Sequence, residues 1–229
     1  MKRFIVIAVF ILLLCTGCNA LKKTWDAMTG KDLSGTAQQL AWTGMDAYED
    51  GEYRDAIDYF QQLKDWYPFS KYAILAELKI ADSNYHLERY EEAIFAYEEF
   101  EKLHPRNEAI PYVIYQIGRC YFDQIDTIDR DQTPARMAYE TFQRLQKQFP
   151  NDKYARSGSE HLTTCIRSIV GNEYSVGLFY YKSKHYKAAL HRFMTVLSDY
   201  PDVGYHQKAL EYIAKCEAEL APEENVGVN

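Results

Sequence analysis

Along most of this chain, apolar residues recur at helical spacing, and four times they fall into one motif: Ala, an aromatic residue four positions later, and Pro eight positions after that. The four sets are Ala56, Phe60 and Pro68; Ala93, Tyr97 and Pro105; Ala138, Phe142 and Pro150; and Ala189, Phe193 and Pro201. Residues i and i+4 share one face of a helix, so the small Ala marks a close helix crossing, the aromatic fills the space beside it, and Pro stops the helix. Self-similarity of this kind predicts stacked helical hairpins, because one hairpin cannot bury its apolar face without a neighbour. Periodicity and its punctuation predict helices over 36–49 and 53–67, 71–87 and 90–104, 110–123 and 134–149, then 153–169, 172–183, 186–199 and 203–220. The expected fold class is all-α, a solenoid of about five hairpins and about ten helices, without strands. Residues 36–149 form the N-terminal repeats in this reading, 150–221 the C-terminal repeats, and 222–229 a frayed tail.

Three of the four motif alanines have a Tyr three positions earlier, namely Tyr53, Tyr90 and Tyr186, and Gly51 or other small or polar turn residues come before these. The pattern resembles the tetratricopeptide repeat, whose second helix carries A-x-x-x-F and ends near Pro. The units are 37, 45 and 51 residues apart, so the array is irregular. The extra residues fall in a loop at 124–133 and in the added helix at 153–169.

One segment departs from amphipathic patterning altogether. Residues 4–15, FIVIAVFILLLC, follow the basic Lys2 and Arg3 and are unbroken in their apolar character. The run is shorter than the roughly 20 residues that a membrane-spanning helix needs. It leads into Cys15-Thr16-Gly17-Cys18, which resembles a bacterial lipobox, with Cys15 where Leu is usual. By that resemblance residues 1–17 are a signal peptide, Cys18 is lipidated, and 18–35 tether the folded body to a membrane. A plain signal peptide and an uncleaved anchor remain alternatives. Two or three acyl chains would hold firmly, at about 0.8 kcal/mol per buried methylene. Asn19, by the sorting rule of such lipoproteins, favours the outer membrane.

Charge narrows the function classes. The chain has 26 basic and 33 acidic residues, a net charge of −7, and loss of residues 1–17 would remove Lys2 and Arg3 and take it to −9. Nonspecific nucleic-acid binding depends on basic side chains neutralising phosphates, so no nucleic-acid partner is expected. The 20 tyrosines suit hairpin cores and peptide-binding grooves alike. Cys120, Cys165 and Cys216 each lie fifteen residues after a motif Pro, where Ser83 stands after Pro68. Equivalent sites in stacked units are further apart than the roughly 7 Å limit for Cα atoms in a disulfide, so these cysteines are read as small buried fillers.

Candidate catalysis does not assemble. The six histidines are scattered and form neither HExxH nor a Cys-His metal pattern, and no phosphate-binding glycine motif is present. No cofactor or metal is expected, and the protein is not read as an enzyme. The acidic stretch from Asp123 to Asp131 partly follows an EF-hand count through Asp129, Asp131, Thr133 and Glu140. Pro134, however, occupies the place where that loop needs Gly, which leaves a solvated inter-helix loop as the reading.

Tyr67-Pro68-Phe69, Asp129-Arg130-Asp131, Glu173-Tyr174-Ser175-Val176 and Asp199-Tyr200-Pro201-Asp202 occur in this order. With the lipobox and the repeats, they make the chain resemble the BamD family of lipoproteins, subunits of the β-barrel assembly machinery, over essentially its whole mature length. The resemblance implies a scaffold at the outer membrane, lipid-anchored on the periplasmic side. It would dock the POTRA domains of BamA and meet other lipoproteins of the complex, and it would receive C-terminal signals of unfolded outer-membrane proteins. Arg192 matches a family Arg at the BamA contact, where it would pair with a carboxylate; otherwise its stem covers helix surface with the charge in water. Tyr67 matches a family Tyr linked to substrate recognition, or else caps the hairpin core. Tyr48 and Tyr85 are further candidates for substrate-signal binding, with packing as their other reading. A general envelope scaffold that organises peptidoglycan or division proteins is the alternative function; it requires the lipobox and repeats but not the four ordered segments.

Overall fold

The computed structural model describes residues 36–224. The signal-peptide and tether segments expected over 1–35, Cys18 with them, lie outside the described residues. Among the described residues there are nine α-helices and no strands: α1 (Ala37–Glu49), α2 (Tyr53–Trp66), α3 (Ala73–His86), α4 (Tyr90–Leu103), α5 (Ile110–Phe122), α6 (Thr133–Gln148), α7 (Lys153–Lys182), α8 (Tyr186–Ser198) and α9 (His206–Glu224). Each packs chiefly on the next along the chain, and α5 also touches α7. This is the tetratricopeptide-like solenoid that the period predicts. No described helix is long and apolar enough to cross a membrane.

Local chemistry sets the helix ends. Thr36 opens α1 with a capping box: its hydroxyl accepts from the Gln39 amide, and the Gln39 side chain accepts from the Thr36 N–H, which satisfies two otherwise unpaired donors. Three hairpin turns reuse one backbone device. The residue two positions before Tyr53, Tyr90 and Tyr186 is left-handed, with φ of 78° at Gly51, 57° at Glu88 and 61° at Lys184. Only the first is Gly, so Glu88 and Lys184 hold a conformation that disfavours a Cβ by roughly 1–2 kcal/mol. The longer turn from Asp123 to Gln132 is organised differently. Gln132, buried, donates to the carbonyls of Thr127 and Arg130 and accepts from Ser168 on α7 at 2.7 Å.

The motif aromatics form the core. Phe60, Tyr97, Phe142 and Phe193 are fully buried, as are Ala56, Ala93, Ala138 and Ala189. Burying a side chain of this size contributes on the order of 1.5–3 kcal/mol relative to exposure. The partner of each Phe is a glycine on the preceding helix: an added Cβ at Gly44, Gly118 or Gly177 would lie 2.8, 2.5 or 2.6 Å from the rings of Phe60, Phe142 or Phe193. Ala81, also fully buried, holds this place for Tyr97. The fillers at Ser83, Cys120, Cys165 and Cys216 are all fully buried, and the three cysteines are unpaired.

Three expected boundaries shift. Segments 153–169 and 172–183 are one continuous helix of 30 residues, so nine described helices stand where about ten are expected. Gly171 does not break α7, because its missing side chain makes room instead: a Cβ there would meet the Tyr205 hydroxyl at 2.8 Å and Ile128 at 3.0 Å. The last helix starts at His206 rather than 203, since Asp202 caps it by accepting from the Gly204 and His206 amides. It runs on to Glu224, into the segment expected to fray.

Candidate functional site

The tyrosines that the sequence singles out do not converge on one groove. Tyr48, at the end of α1, sets its ring edge against Tyr53 and lies beneath the Lys79 ammonium at 4.1 Å, with its hydroxyl 3.1 Å from His86 Nε2. Tyr85, immediately before His86 and in edge contact with its ring, donates to Asp123 at 2.6 Å and accepts from Arg119 at 2.9 Å. Burial raises the pKa of both hydroxyls above the usual tyrosine value. Both residues join neighbouring repeats at the hairpin-tip edge of the stack. Tyr67 caps the other end of α2, about 20 Å away along a 14-residue helix. Its carbonyl accepts from Ser70, and it stands in an exposed aromatic turn with Trp66 and the fully exposed Phe69. Trp66 fits no helical stripe of the sequence, and a cluster of large aromatics around Pro68 was the available signal for it.

A buried carboxylate that the sequence does not announce lies between the two sets. Asp82 on α3 is 1% exposed. One of its oxygens accepts from the hydroxyls of Tyr97 at 2.7 Å and Tyr112 at 2.8 Å, and the other from Lys79 at 2.8 Å. This explains Tyr rather than Phe at the second motif position, since only a hydroxyl supplies a donor to the anion.

The second buried carboxylate lies in the C-terminal half and includes the predicted Arg192. Glu173 on α7 accepts from Arg192 Nη1 on α8 at 2.8 Å and from Arg136 Nη2 on α6 at 3.4 Å. Arg136 also donates to the Tyr200 hydroxyl at 3.3 Å, and that bond helps raise its pKa. The Glu173 side chain is 10% exposed, against 40% for Arg192 and 44% for Arg136. Thus Arg192 has an intramolecular carboxylate partner, while most of its five N–H donors remain for another. Arg136 carries no sequence motif, and Glu173 is visible only as the first residue of Glu173-Tyr174-Ser175-Val176.

The acidic loop uses its carboxylates locally. Asp131 accepts from the Thr133 amide and hydroxyl, and Asp129 accepts from the Thr127 hydroxyl. Among the described residues, no group of three or more His, Cys, Asp or Glu is placed to hold a metal ion. An open groove of about 440 Å³ runs between α4 and this loop, lined by Glu91, Phe95, Glu98, Tyr121 and Pro134.

Comparison with known proteins supplies the context for these surfaces. The family model YfiO, described as Outer membrane lipoprotein, matches residues 34–227. The chain is similar to the outer membrane protein assembly factor BamD of Neisseria meningitidis, 28% identical over 195 residues that cover 81% of this chain and 72% of that protein. It is also similar to the BamD proteins of Pasteurella multocida, at 24% over 217 residues (90% and 79%), and Caulobacter vibrioides, at 28% over 168 residues (73% and 55%). The chain therefore spans about half the length of the Caulobacter relative.

Proposed function

The chain belongs to the YfiO family of outer membrane lipoproteins, to which the BamD assembly factors belong, and from that premise we propose that it is a non-enzymatic scaffold in outer-membrane β-barrel assembly. In this reading Cys18 carries the lipid that holds the solenoid to the periplasmic side of the outer membrane. The C-terminal repeats dock the POTRA domains of BamA through Arg192. The N-terminal repeats receive the C-terminal signal of unfolded outer-membrane proteins, whose terminal aromatic residue suits an aromatic surface. Since Tyr67 lies at the opposite edge from Tyr48 and Tyr85, the exposed turn of Trp66, Tyr67 and Phe69 is the surface that meets the signal first, and Tyr48 and Tyr85 shape the stack beneath it.

The observation that carries the reading is Arg192: a guanidinium oriented by a buried carboxylate yet two-fifths open to solvent. Arg is suited to bidentate, charge-assisted bonding of a partner carboxylate. The test is a pull-down of the tagged full-length protein from detergent-solubilised envelopes, with mass spectrometry of the bound fraction. A POTRA-containing barrel protein recovered near equal stoichiometry is the expected result. Its absence, with peptidoglycan-binding or division proteins recovered instead, would overturn the proposal in favour of a general envelope scaffold.

A further inference from the structure

Glu173 is buried and needs one cation and a set of hydrogen bonds to offset its desolvation. Arg192 at 2.8 Å already provides the cation. Arg136 approaches at only 3.4 Å, too long for a strong charge-assisted bond, and its guanidinium is the more exposed of the two. One carboxylate thus gathers two guanidinium groups from different helices, α6 and α8, and the cluster of three side chains carries one net positive charge on a chain whose total charge is −7. Tyr200, beyond the end of α8, braces the second guanidinium from the other side.

Holding a long cationic side chain in one place costs rotamer entropy when it happens at the moment of binding. Side chains oriented beforehand avoid much of that cost. We infer that Arg136 and Arg192 together form a two-guanidinium docking surface for a protein partner presenting a pair of carboxylates, and that Glu173 is the positioning residue that aims both. This rests on the proposed docking role of Arg192 and extends it to a second contact, made by the N-terminal half of the array through α6. The joint between α6, α7 and α8 is then part of the interface, because the spacing of the two guanidinium groups depends on it.

The experiment titrates full-length protein against the isolated POTRA domains of BamA at low and high salt, for wild type, Arg136→Gln, Arg192→Gln, Arg136→Lys and Glu173→Gln. Thermal melting of each variant reports its folding. Arg136→Gln and Arg192→Gln are each expected to weaken binding about tenfold, a loss of about 1.4 kcal/mol, and to flatten its salt dependence. Arg136→Lys, which retains charge but not the planar fork, should recover part of the loss. Glu173→Gln gives the most discriminating result. It makes the surface more positive by one charge, so a surface acting by charge alone would bind an anionic partner more tightly, whereas loss of positioning weakens binding. Wild-type affinity in Arg136→Gln beside weakened Arg192→Gln would overturn the second contact and leave the proposed function standing, and tighter binding by Glu173→Gln would overturn the positioning role. If Glu173→Gln does not fold, the Arg136 variants still decide the two-arginine surface. Failure of the wild-type protein to bind the POTRA domains would overturn the docking reading itself, and this inference with it.

Discussion

Asp82 on α3 and Glu173 on α7 are both buried carboxylates at contacts between helices, and they are neutralised in opposite ways. Asp82 has one cation, Lys79, and two neutral donors, Tyr97 and Tyr112, drawn from its own and the two following helices. Glu173 has two cations and no neutral donor among the described residues, and both cations are well exposed. A buried acid needs its charge offset and its lone pairs satisfied. The Asp82 arrangement does this and turns inward. The Glu173 arrangement brings one cation more than the anion requires and turns it outward. An internal joint and a docking surface can therefore start from the same element, a buried carboxylate on the first helix of a repeat; the exposure of its donors separates them.

The contrast is most severely tested by Asp82→Ala. It would leave two tyrosine hydroxyls without their acceptor and Lys79 without its anion, for an expected loss of about 3–5 kcal/mol of unfolding free energy. Urea unfolding measures this, and a loss below about 1 kcal/mol would mean that the Asp82 cluster is no joint at all. High pH probes the same place without mutation. Burial, reinforced by the charge of Asp82, raises the hydroxyl pKa of Tyr97 and Tyr112 well above 10. Tyrosines of the unfolded chain ionise near pH 10, so above that pH the unfolded state loses protons first. The stabilisation is complete below pH 10 and declines as pH rises beyond it. Phenolate absorbance is expected to include a cooperative step that coincides with loss of helical circular dichroism; smooth titration with the helices intact would break the prediction.

Glu173→Gln is expected to be milder toward folding, at about 1 kcal/mol or less by thermal or urea unfolding, because both arginines can turn to water. An effect as large as that of Asp82→Ala would erase the distinction between the two sites. The smallest change is a gain that sharpens the comparison by being equal on both sides. Glu88→Gly in the Asp82 repeat and Lys184→Gly in the Glu173 repeat each relieve a left-handed turn residue, for about 0.5–1 kcal/mol of added stability net of the greater freedom of Gly in the unfolded chain. Equal gains would show that the hairpin turns of the two halves are alike and that their difference lies in the carboxylate sites.

The hairpin order and the motif core were legible because each rests on short spacings. Ala56 and Phe60 share a helical face whatever surrounds them, and Pro68 ends a helix by its own chemistry. The buried places of Cys120, Cys165 and Cys216 were readable for the same reason, as offsets from a repeated Pro. Gly171 was not, because a helical Gly weakens local propensity and only the space it leaves for Tyr205 and Ile128 explains an unbroken α7. Nor could spacing reveal that Tyr67 stands apart from Tyr48 and Tyr85, since all three sit near helix ends.

The sequence by itself therefore determined an all-α array of hairpins, the apolar residues that hold each one, and the segments that place the chain in its family. Tertiary structure alone decided which polar groups meet. Arg136 and Glu173 are 37 residues apart, Glu173 and Arg192 are 19, and Asp82 and Tyr112 are 30. Helical periodicity is a local property that repeats every turn. The meeting of charges from three helices depends on how successive hairpins stack and on the unbroken length of α7, which accumulate over the whole chain.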